Sequence, residues 1–196
     1  MKKLFALTSC FMSLFAAANT QAATTEVNNL APKPKILIAY YSYSGNTKAV
    51  AEAIQKGVGG DIFEIKAEGS YPEEYRAMTQ QAKKEIQDNY RPKLTSKIDN
   101  IGQYDVIFLG SPNWWGTITP QVSSFLASYD LSGKMVIPFI THGGGGVQNT
   151  IRDLTVQCSG CKIEPNAWTS YGKDMSKLNE WLQALPHTKP SQMPKN

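Results

Sequence analysis

The stretch at residues 106–120 reads V-I-F-L-G-S-P-N-W-W-G-T-I-T-P. Residues 106–109 are all apolar, which predicts a strand buried on both faces of a parallel sheet. Thr119 and Pro120 predict the start of a helix, because threonine is a good helix cap and proline suits the first helical position. The stretch therefore predicts one strand–loop–helix unit of an α/β domain.

The same alternation extends over residues 35–185, which we predict to be a single domain. Strands are predicted at 36–41, 62–65, 106–109, 135–140 and 162–168, and helices at 49–57, 72–86, 119–129, 147–154 and 178–185. Such alternation predicts an open α/β sheet with helices on both faces. Glu64, Glu164 and Pro165 mark the second and fifth strands as edges. We therefore predict a three-layer open sandwich around a five-stranded parallel sheet in the order 2-1-3-4-5, with Pro138 at a local bulge.

The two ends of the chain differ from this domain. Residues 1–22 combine a basic start, an apolar stretch and small residues before Ala23, which predicts a Sec-type signal peptide and a periplasmic or secreted protein. Lipoprotein anchoring through Cys10 is disfavoured, because that cysteine lies inside the apolar stretch. Residues 23–34 are predicted to be a tether and residues 186–196 a disordered tail. No membrane span is predicted in the mature chain.

Charge and cysteine content narrow the function further. Removal of Lys2 and Lys3 with the signal peptide takes Lys+Arg from 20 to 18 against 16 Asp+Glu, a net charge of +2. Such a charge, without a basic run, argues against nucleic-acid binding. Cys158 and Cys161 are the cysteines that remain after export, and an oxidising compartment favours a disulfide between them.

Three loops of unusual composition follow the first, third and fourth strands. In an open α/β sheet, ligands bind beyond the carboxyl ends of the strands, where the winding reverses. The first loop reads S-Y-S-G-N-T at residues 42–47 and leads directly into a helix. Its hydroxyls, its glycine and the free helix amides suit a terminal phosphate held by neutral donors, although an ordinary helix cap is the alternative. The spacing fits neither a P-loop nor a dinucleotide fingerprint.

The second loop, residues 110–117, carries two adjacent tryptophans, Trp114 and Trp115. Neighbouring side chains point in different directions, so the pair favours a loop on which a flat ring system stacks. The alternative is one tryptophan on the core and one at a protein interface. The third loop reads T-H-G-G-G-G at residues 141–146, which suits either close approach of the backbone to a ligand or a flexible connector. The chain has only one histidine besides His142, so no metal site is predicted.

Together, S-Y-S-G-N-T, F-L-G-S-P-N-W-W-G-T and F-I-T-H-G-G-G-G resemble the loops of the flavodoxin family, and most closely its branch of short proteins with a paired-tryptophan loop. The resemblance covers roughly residues 35–184, and flavodoxins are themselves an example of the rule on ligand position. It implies flavin mononucleotide (FMN) as the cofactor. By position, Ser42, Tyr43, Ser44, Gly45, Asn46 and Thr47 would hold the phosphate; Pro112, Asn113, Trp114, Trp115 and Gly116 would line the isoalloxazine; and Thr141, His142, Gly143 and Gly144 would contact its other edge. Ser44 stands where the family usually has threonine, which keeps the hydroxyl.

The resemblance, taken with the predicted signal peptide, favours an exported FMN protein that acts in electron transfer, or in flavin-dependent reduction of acceptors such as quinones, in the cell envelope. The alternatives are an FMN carrier or sensor without turnover and an FMN-free module that grips a protein partner. The sequence does not specify the redox partner; a quinone, a membrane flavoprotein or a thiol protein is a candidate. The absence of Asp and Glu from the three loops predicts a less negative reduction potential than that of acidic flavodoxins. Direct exchange with the cysteine pair is disfavoured, because a strand of about 20 Å separates it from the flavin loops.

Overall fold

The structure is a computed structural model that describes residues 33–188. The predicted signal peptide with Cys10, residues 23–32 of the predicted tether and the predicted tail beyond residue 188 lie outside the described residues. The strands are β1 (Ile36–Tyr40), β2 (Asp61–Glu64), β3 (Val106–Pro112), β4 (Met135–His142), β5 (Lys162–Ile163) and β6 (Trp168–Tyr171). The helices are α1 (Asn46–Val58), α2 (Tyr75–Gln87), α3 (Pro120–Ser128), α4 (Thr150–Gln157) and α5 (Leu178–Ala184), with 3-10 turns at Ile101–Gln103 and Pro186–Thr188. The second 3-10 turn lies within the predicted tail.

The strands form a parallel sheet in the order β2-β1-β3-β4-β5, which confirms the predicted topology. Because successive side chains of a strand point to opposite faces, each central strand contributes to two cores. Ile38 and Phe108 pack against α1 and α5, whereas Ala39 and Leu109 pack against α3 and α4. Burial on both faces explains why these strands are almost wholly apolar.

The edge of the sheet beside β4 differs from the prediction. A single strand over residues 162–168 was too simple, since β5 and β6 pair with opposite ends of β4 and residues 164–167 separate them. The bulge predicted at Pro138 is wrong as well, because β3 and β4 keep an unbroken register in which Leu109 pairs with Pro138.

The position of Pro138 explains both corrections. The carbonyls of Val136 and His142 accept hydrogen bonds of 2.9 and 2.8 Å from the β5–β6 side. Backbone groups alternate in direction along a strand, so the nitrogen of Pro138 faces that same side. It points to the place where the edge strand is interrupted. Proline has no backbone N–H, but at this position the N–H would not have taken part in the central β3–β4 ladder, so that ladder loses no hydrogen bond.

One helix begins later than predicted. α2 starts at Tyr75 rather than at Pro72, because the carboxylate of Glu74 accepts hydrogen bonds from the N–H groups of Arg76 and Ala77 at 2.8 and 2.6 Å. This side chain supplies the partner that two amides of the first turn would otherwise lack.

A disulfide joins Cys158, at the end of α4, to Cys161, which precedes β5, with an S–S distance of 2.08 Å. It lies at the amino end of β5, whereas the loops after β1, β3 and β4 lie at the carboxyl ends of their strands. The disulfide therefore ties α4 to the edge strand at the end of the sheet opposite those loops.

The close approach of β3 to the ring of Phe139 yields a first prediction. A Cβ at Gly110 would lie 2.2 and 2.3 Å from two ring carbons of Phe139. We expect Gly110→Ala to lower the free energy of unfolding by about 1–3 kcal/mol, as overpacking does in cores. Urea denaturation measures this, and the loss should be smaller in a Phe139→Leu background. A Gly110→Ala variant as stable as the parent would contradict this packing.

Replacement of both Cys158 and Cys161 by serine should lower the free energy of unfolding by about 2 kcal/mol, the chain-entropy estimate for so short a loop. The loops predicted to bind FMN lie at the opposite end of the sheet and should not respond, so the affinity for FMN should stay unchanged. Denaturation of the variant is compared with that of the parent with and without a reducing agent. Reduction that left the parent's stability unaltered would show that the disulfide contributes nothing.

Candidate functional site

The loops that follow β1, β3 and β4 meet in one open cleft of about 480 Å³, a volume typical of small-molecule sites. Eleven of the fifteen residues predicted from the sequence line it: Tyr43, Ser44, Asn46, Pro112, Asn113, Trp114, Trp115, Gly116, Thr141, His142 and Gly143. The remaining four, Ser42, Gly45, Thr47 and Gly144, belong to the same loops without lining the cleft. Segments that are far apart in sequence thus form one site.

The first loop ends at a helix N-terminus that no side chain caps. Gly45 is the N-cap of α1 with a φ of 84°, a left-handed conformation that glycine adopts without strain. The Oγ of Ser42 is buried and has no hydrogen-bond partner among the residues that the structure describes. The first-turn amides and this hydroxyl form a set of neutral donors suited to an oxyanion.

Thr141, at the end of β4, connects the three loops. Its hydroxyl oxygen lies 2.9 Å from that of Thr47 in α1, and its carbonyl accepts a 2.7 Å hydrogen bond from the N–H of Asn113. Both threonines are almost fully buried. One residue of the third loop therefore sets the position of the other two.

A tight turn presents the tryptophans. The backbones of Trp114 and Thr117 exchange two hydrogen bonds of 3.0 Å around Trp115 and Gly116. The φ angles of these two central residues are 53° and 86°, both positive as a type I′ turn requires. The turn points the two indole rings in different directions.

Asn113 braces this turn against the glycine-rich loop. Its Oδ1 accepts a 2.9 Å hydrogen bond from the N–H of Gly116, and its Nδ2 donates a 2.6 Å hydrogen bond to the carbonyl of Gly146. The second and third loops are therefore joined by a side chain as well as by the sheet.

Trp114 is the centre of an aromatic cluster. Its half-buried ring meets Tyr41, Tyr43 and Tyr71 edge to face, with centroid distances of 5.8, 5.9 and 5.0 Å. Burial raises the pKa of Tyr41 and Tyr71 well above the ordinary value, and a hydrogen bond to Glu85 raises that of Tyr71 further. Both hydroxyls therefore stay neutral at physiological pH.

Trp115 is 56% exposed and lies along α2. Its Nε1 donates a 2.9 Å hydrogen bond to the carbonyl of Thr79, and the Lys83 ammonium lies 4.7 Å from the ring centroid. Such a cation–π contact contributes about 0.5–1 kcal/mol at an exposed site. Trp115 thus links the second loop to α2.

His142 is the last residue of β4 and lines the cleft. Its Nδ1 accepts a 3.1 Å hydrogen bond from the N–H of Gly144, so Nε2 carries the proton of the neutral ring. Its ring also meets that of Tyr171 at 6.1 Å. In the part of the chain that the structure describes, no three His, Cys, Asp or Glu side chains are grouped so as to hold a metal ion. No described helix is long and apolar enough to cross a membrane.

α2 supplies a wall of the cleft that the sequence analysis did not predict. The additional lining residues are Tyr75, Met78, Thr79 and Ala82 of α2, together with Gly145 and Gln148. The spacing of the α2 residues predicts a helix, and it does not distinguish a cleft wall from a face that packs on the core. Their position along the chain could have indicated this wall. The segment follows the second strand, and the carboxyl end of the second strand lies beside the carboxyl end of the first, where the cleft was predicted.

The lining of the cleft is uncharged. None of its residues is Asp, Glu, Lys or Arg, and its apolar part comes from tryptophan, tyrosine, methionine and alanine side chains. A flat ring with few charges suits such a surface, whereas the donors at α1 suit a phosphate. The two halves of the cleft therefore match the two halves of a flavin mononucleotide.

This fold and cleft define a flavin-binding α/β protein, and comparisons with known proteins agree. The family described as flavodoxin matches residues 35–185. A flavoprotein from Lactobacillus acidophilus NCFM, solved in complex with FMN, is similar with a TM-score of 0.62 and 26% identity, covering 76% of this chain and 98% of its own. A structure from Bacteroides eggerthii DSM 20697 has a TM-score of 0.67 and 31% identity, covering 76% of this chain and 96% of its own.

The chain belongs to the flavodoxin family, and FMN is its cofactor. A curated relative from Cupriavidus metallidurans, an NAD(P)H dehydrogenase (quinone), is 30% identical over 120 residues, which is 59% of this chain and 56% of the relative. The chain thus matches only about half the length of that relative. The family and these relatives together support an FMN-dependent redox function.

The hydroxyl of Ser42 provides a test of the phosphate position. It is buried without a partner in the free protein, so Ser42→Ala should leave the free energy of unfolding unchanged or raise it. Loss of a donor to the phosphate should weaken FMN binding about tenfold, which corresponds to about 1.4 kcal/mol. Riboflavin, which lacks the phosphate, is the matched control, and its affinity should not change. Equal losses for both flavins in fluorescence titrations would contradict the assignment.

Proposed function

We propose that this protein is an exported FMN oxidoreductase of the cell envelope that passes electrons to quinones. The observation that carries the proposal is the meeting of an uncapped, donor-rich helix N-terminus and an uncharged aromatic wall in one cleft. The printed name of the Cupriavidus relative supports a quinone as acceptor. The N-terminal pattern at residues 1–22 supports export.

The residues present fit FMN. Ser42 and the first-turn amides of α1 would hold the phosphate, because both are donors without partners in the described structure. Trp114 and Trp115 would flank the ring system on a turn that Asn113 holds in place. FMN supplies the electron-transfer chemistry. The protein's own part is to bind and orient it and to exclude water with the apolar wall of α2.

The uncharged lining bears on the direction of electron flow. Negative charge beside a flavin opposes its uptake of electrons, and no carboxylate lines this cleft. We therefore propose a less negative reduction potential than that of acidic flavodoxins. Such a potential suits acceptance of electrons from a membrane flavoprotein or a thiol protein, since reduced nicotinamide is not expected outside the cytoplasm.

A second candidate is an FMN carrier or sensor, or an interaction module, without turnover. The exposure of Trp115 and Tyr75, 56% and 75%, favours it, because large aromatic side chains at a cleft mouth also suit a protein interface.

The test uses the full chain, expressed with residues 1–22 and, as a matched control, without them. We expect the full chain to be recovered outside the cytoplasm with one FMN per protein, and to turn over quinones with an artificial electron donor. A redox titration of the bound flavin should give a potential less negative than those of acidic flavodoxins. FMN binding without turnover of any quinone selects the carrier or sensor. A folded, colourless protein that ignores added FMN contradicts both flavin-dependent functions.

A further inference from the structure

A second groove, of about 610 Å³, shares no residue with the flavin cleft. It runs between residues 91–97 and the second half of α3. Its lining contains three cationic side chains, Arg91, Lys93 and Lys97, and no carboxylate. The groove is therefore basic, whereas the cleft is uncharged.

The basic side chains share one side of an extended segment. Residues 91–97 read R-P-K-L-T-S-K, and exposure alternates along them, with Arg91, Lys93, Thr95 and Lys97 exposed and the residues between them buried or half-buried. This period of two is that of an extended backbone. The N–H of Thr95 donates to the carbonyl of Lys66 at 2.8 Å, which anchors the segment to the body of the protein. The cations are thus displayed on a backbone that is held in place.

Two of these cations are available to a partner. Lys93 pairs with Glu68 at 2.6 Å, but neither Arg91 nor Lys97 takes part in an ion pair among the described residues. They are six positions apart along an extended chain, which corresponds to about 20 Å. One small anion cannot contact both, whereas an extended chain with several carboxylates can.

The floor of the groove offers a polar group as well. Ser124 is 4% exposed and lines the groove, and its Oγ is buried with no hydrogen-bond partner in the described part of the chain. A buried hydroxyl without a hydrogen-bond partner is unfavourable unless a ligand supplies that partner. Its neighbours in the lining of the groove, Ala127 and Ser128, are also small.

We propose that this groove docks an extended acidic segment of a protein partner. Its carboxylates pair with Arg91 and Lys97, and one of its acceptors takes the free hydroxyl of Ser124. The complementary charge orients the partner without placing any charge in the flavin cleft. A polynucleotide fits less well, because single strands bind where several aromatic rings stack on successive bases. Tyr129 lines the groove without a second aromatic residue, and its hydroxyl accepts a 2.8 Å hydrogen bond from the N–H of Ile98.

The test measures binding of a fluorescently labelled peptide of alternating Glu and Ala to the FMN-loaded protein at low ionic strength. We expect Arg91→Gln with Lys97→Gln to weaken binding about tenfold. The matched control, Lys56→Gln with Lys162→Gln, removes the same charge from exposed positions outside the groove and should change affinity less than about twofold. Both variants should keep the flavin absorbance of the parent, which shows that they are folded.

Two further measurements separate this site from general charge attraction. Peptide-induced amide shifts in NMR spectra should centre on Leu94, Ser124 and Ser128, and Ser124→Ala should weaken binding about threefold. Equal losses in the two double variants, shifts spread over the whole surface, or absence of binding at low ionic strength would overturn the proposal. So would a single-stranded oligonucleotide that binds this groove as tightly as the peptide. Because the readout is peptide binding, its failure is independent of quinone turnover.

Discussion

The hydrogen bond between the hydroxyls of Thr47 and Thr141, 2.9 Å long and buried, joins the start of α1 to the end of β4. The carbonyl of Thr141 also accepts the 2.7 Å hydrogen bond from Asn113, so residues from all three loops meet at one threonine. Buried polar groups that satisfy one another in this way are costly to separate, because each would be left without a partner. The shape of the cleft therefore depends on the sheet, which brings these strand ends together, and then on this single residue.

The distribution of charge separates two tasks. The cleft has no charged lining residue, whereas the groove beside α3 has three cations. A charge beside a flavin would change its potential, but a charge in a separate groove can act on a partner without doing so. The disulfide lies at the amino end of β5 and lines neither the cleft nor the groove. The flavin cleft, the proposed docking groove and the disulfide thus lie in different parts of the fold.

The sequence predicted the strand order because burial on both faces leaves a direct trace in composition, as in β1 and β3. The three loops were also predictable, since adjacent tryptophans and runs of glycine are unusual between a strand and a helix. The split edge strand was not predictable. The direction in which the nitrogen of Pro138 points depends on the register of β4, and register cannot be read from amino-acid composition. The wall from α2 was missed for a similar reason: Met78 and Ala82 have the spacing of a core stripe and of a cleft wall alike. The unpartnered hydroxyl of Ser42 is visible only once its neighbours are placed.

The paired tryptophans show how an unfavourable backbone serves the site. Trp115 has a φ of 53°, a region that bulky residues rarely adopt and that costs of the order of 1–3 kcal/mol. The hydrogen bond to Thr79 and the contact with Lys83, both on α2, offset that cost. The same turn leaves Trp114 to pack among three tyrosines. The ring of Trp114 thus fixes the second loop to the aromatic cluster, and the ring of Trp115 fixes it to α2. These two adjacent residues therefore set the distance between the second loop and α2, which is one dimension of the cleft.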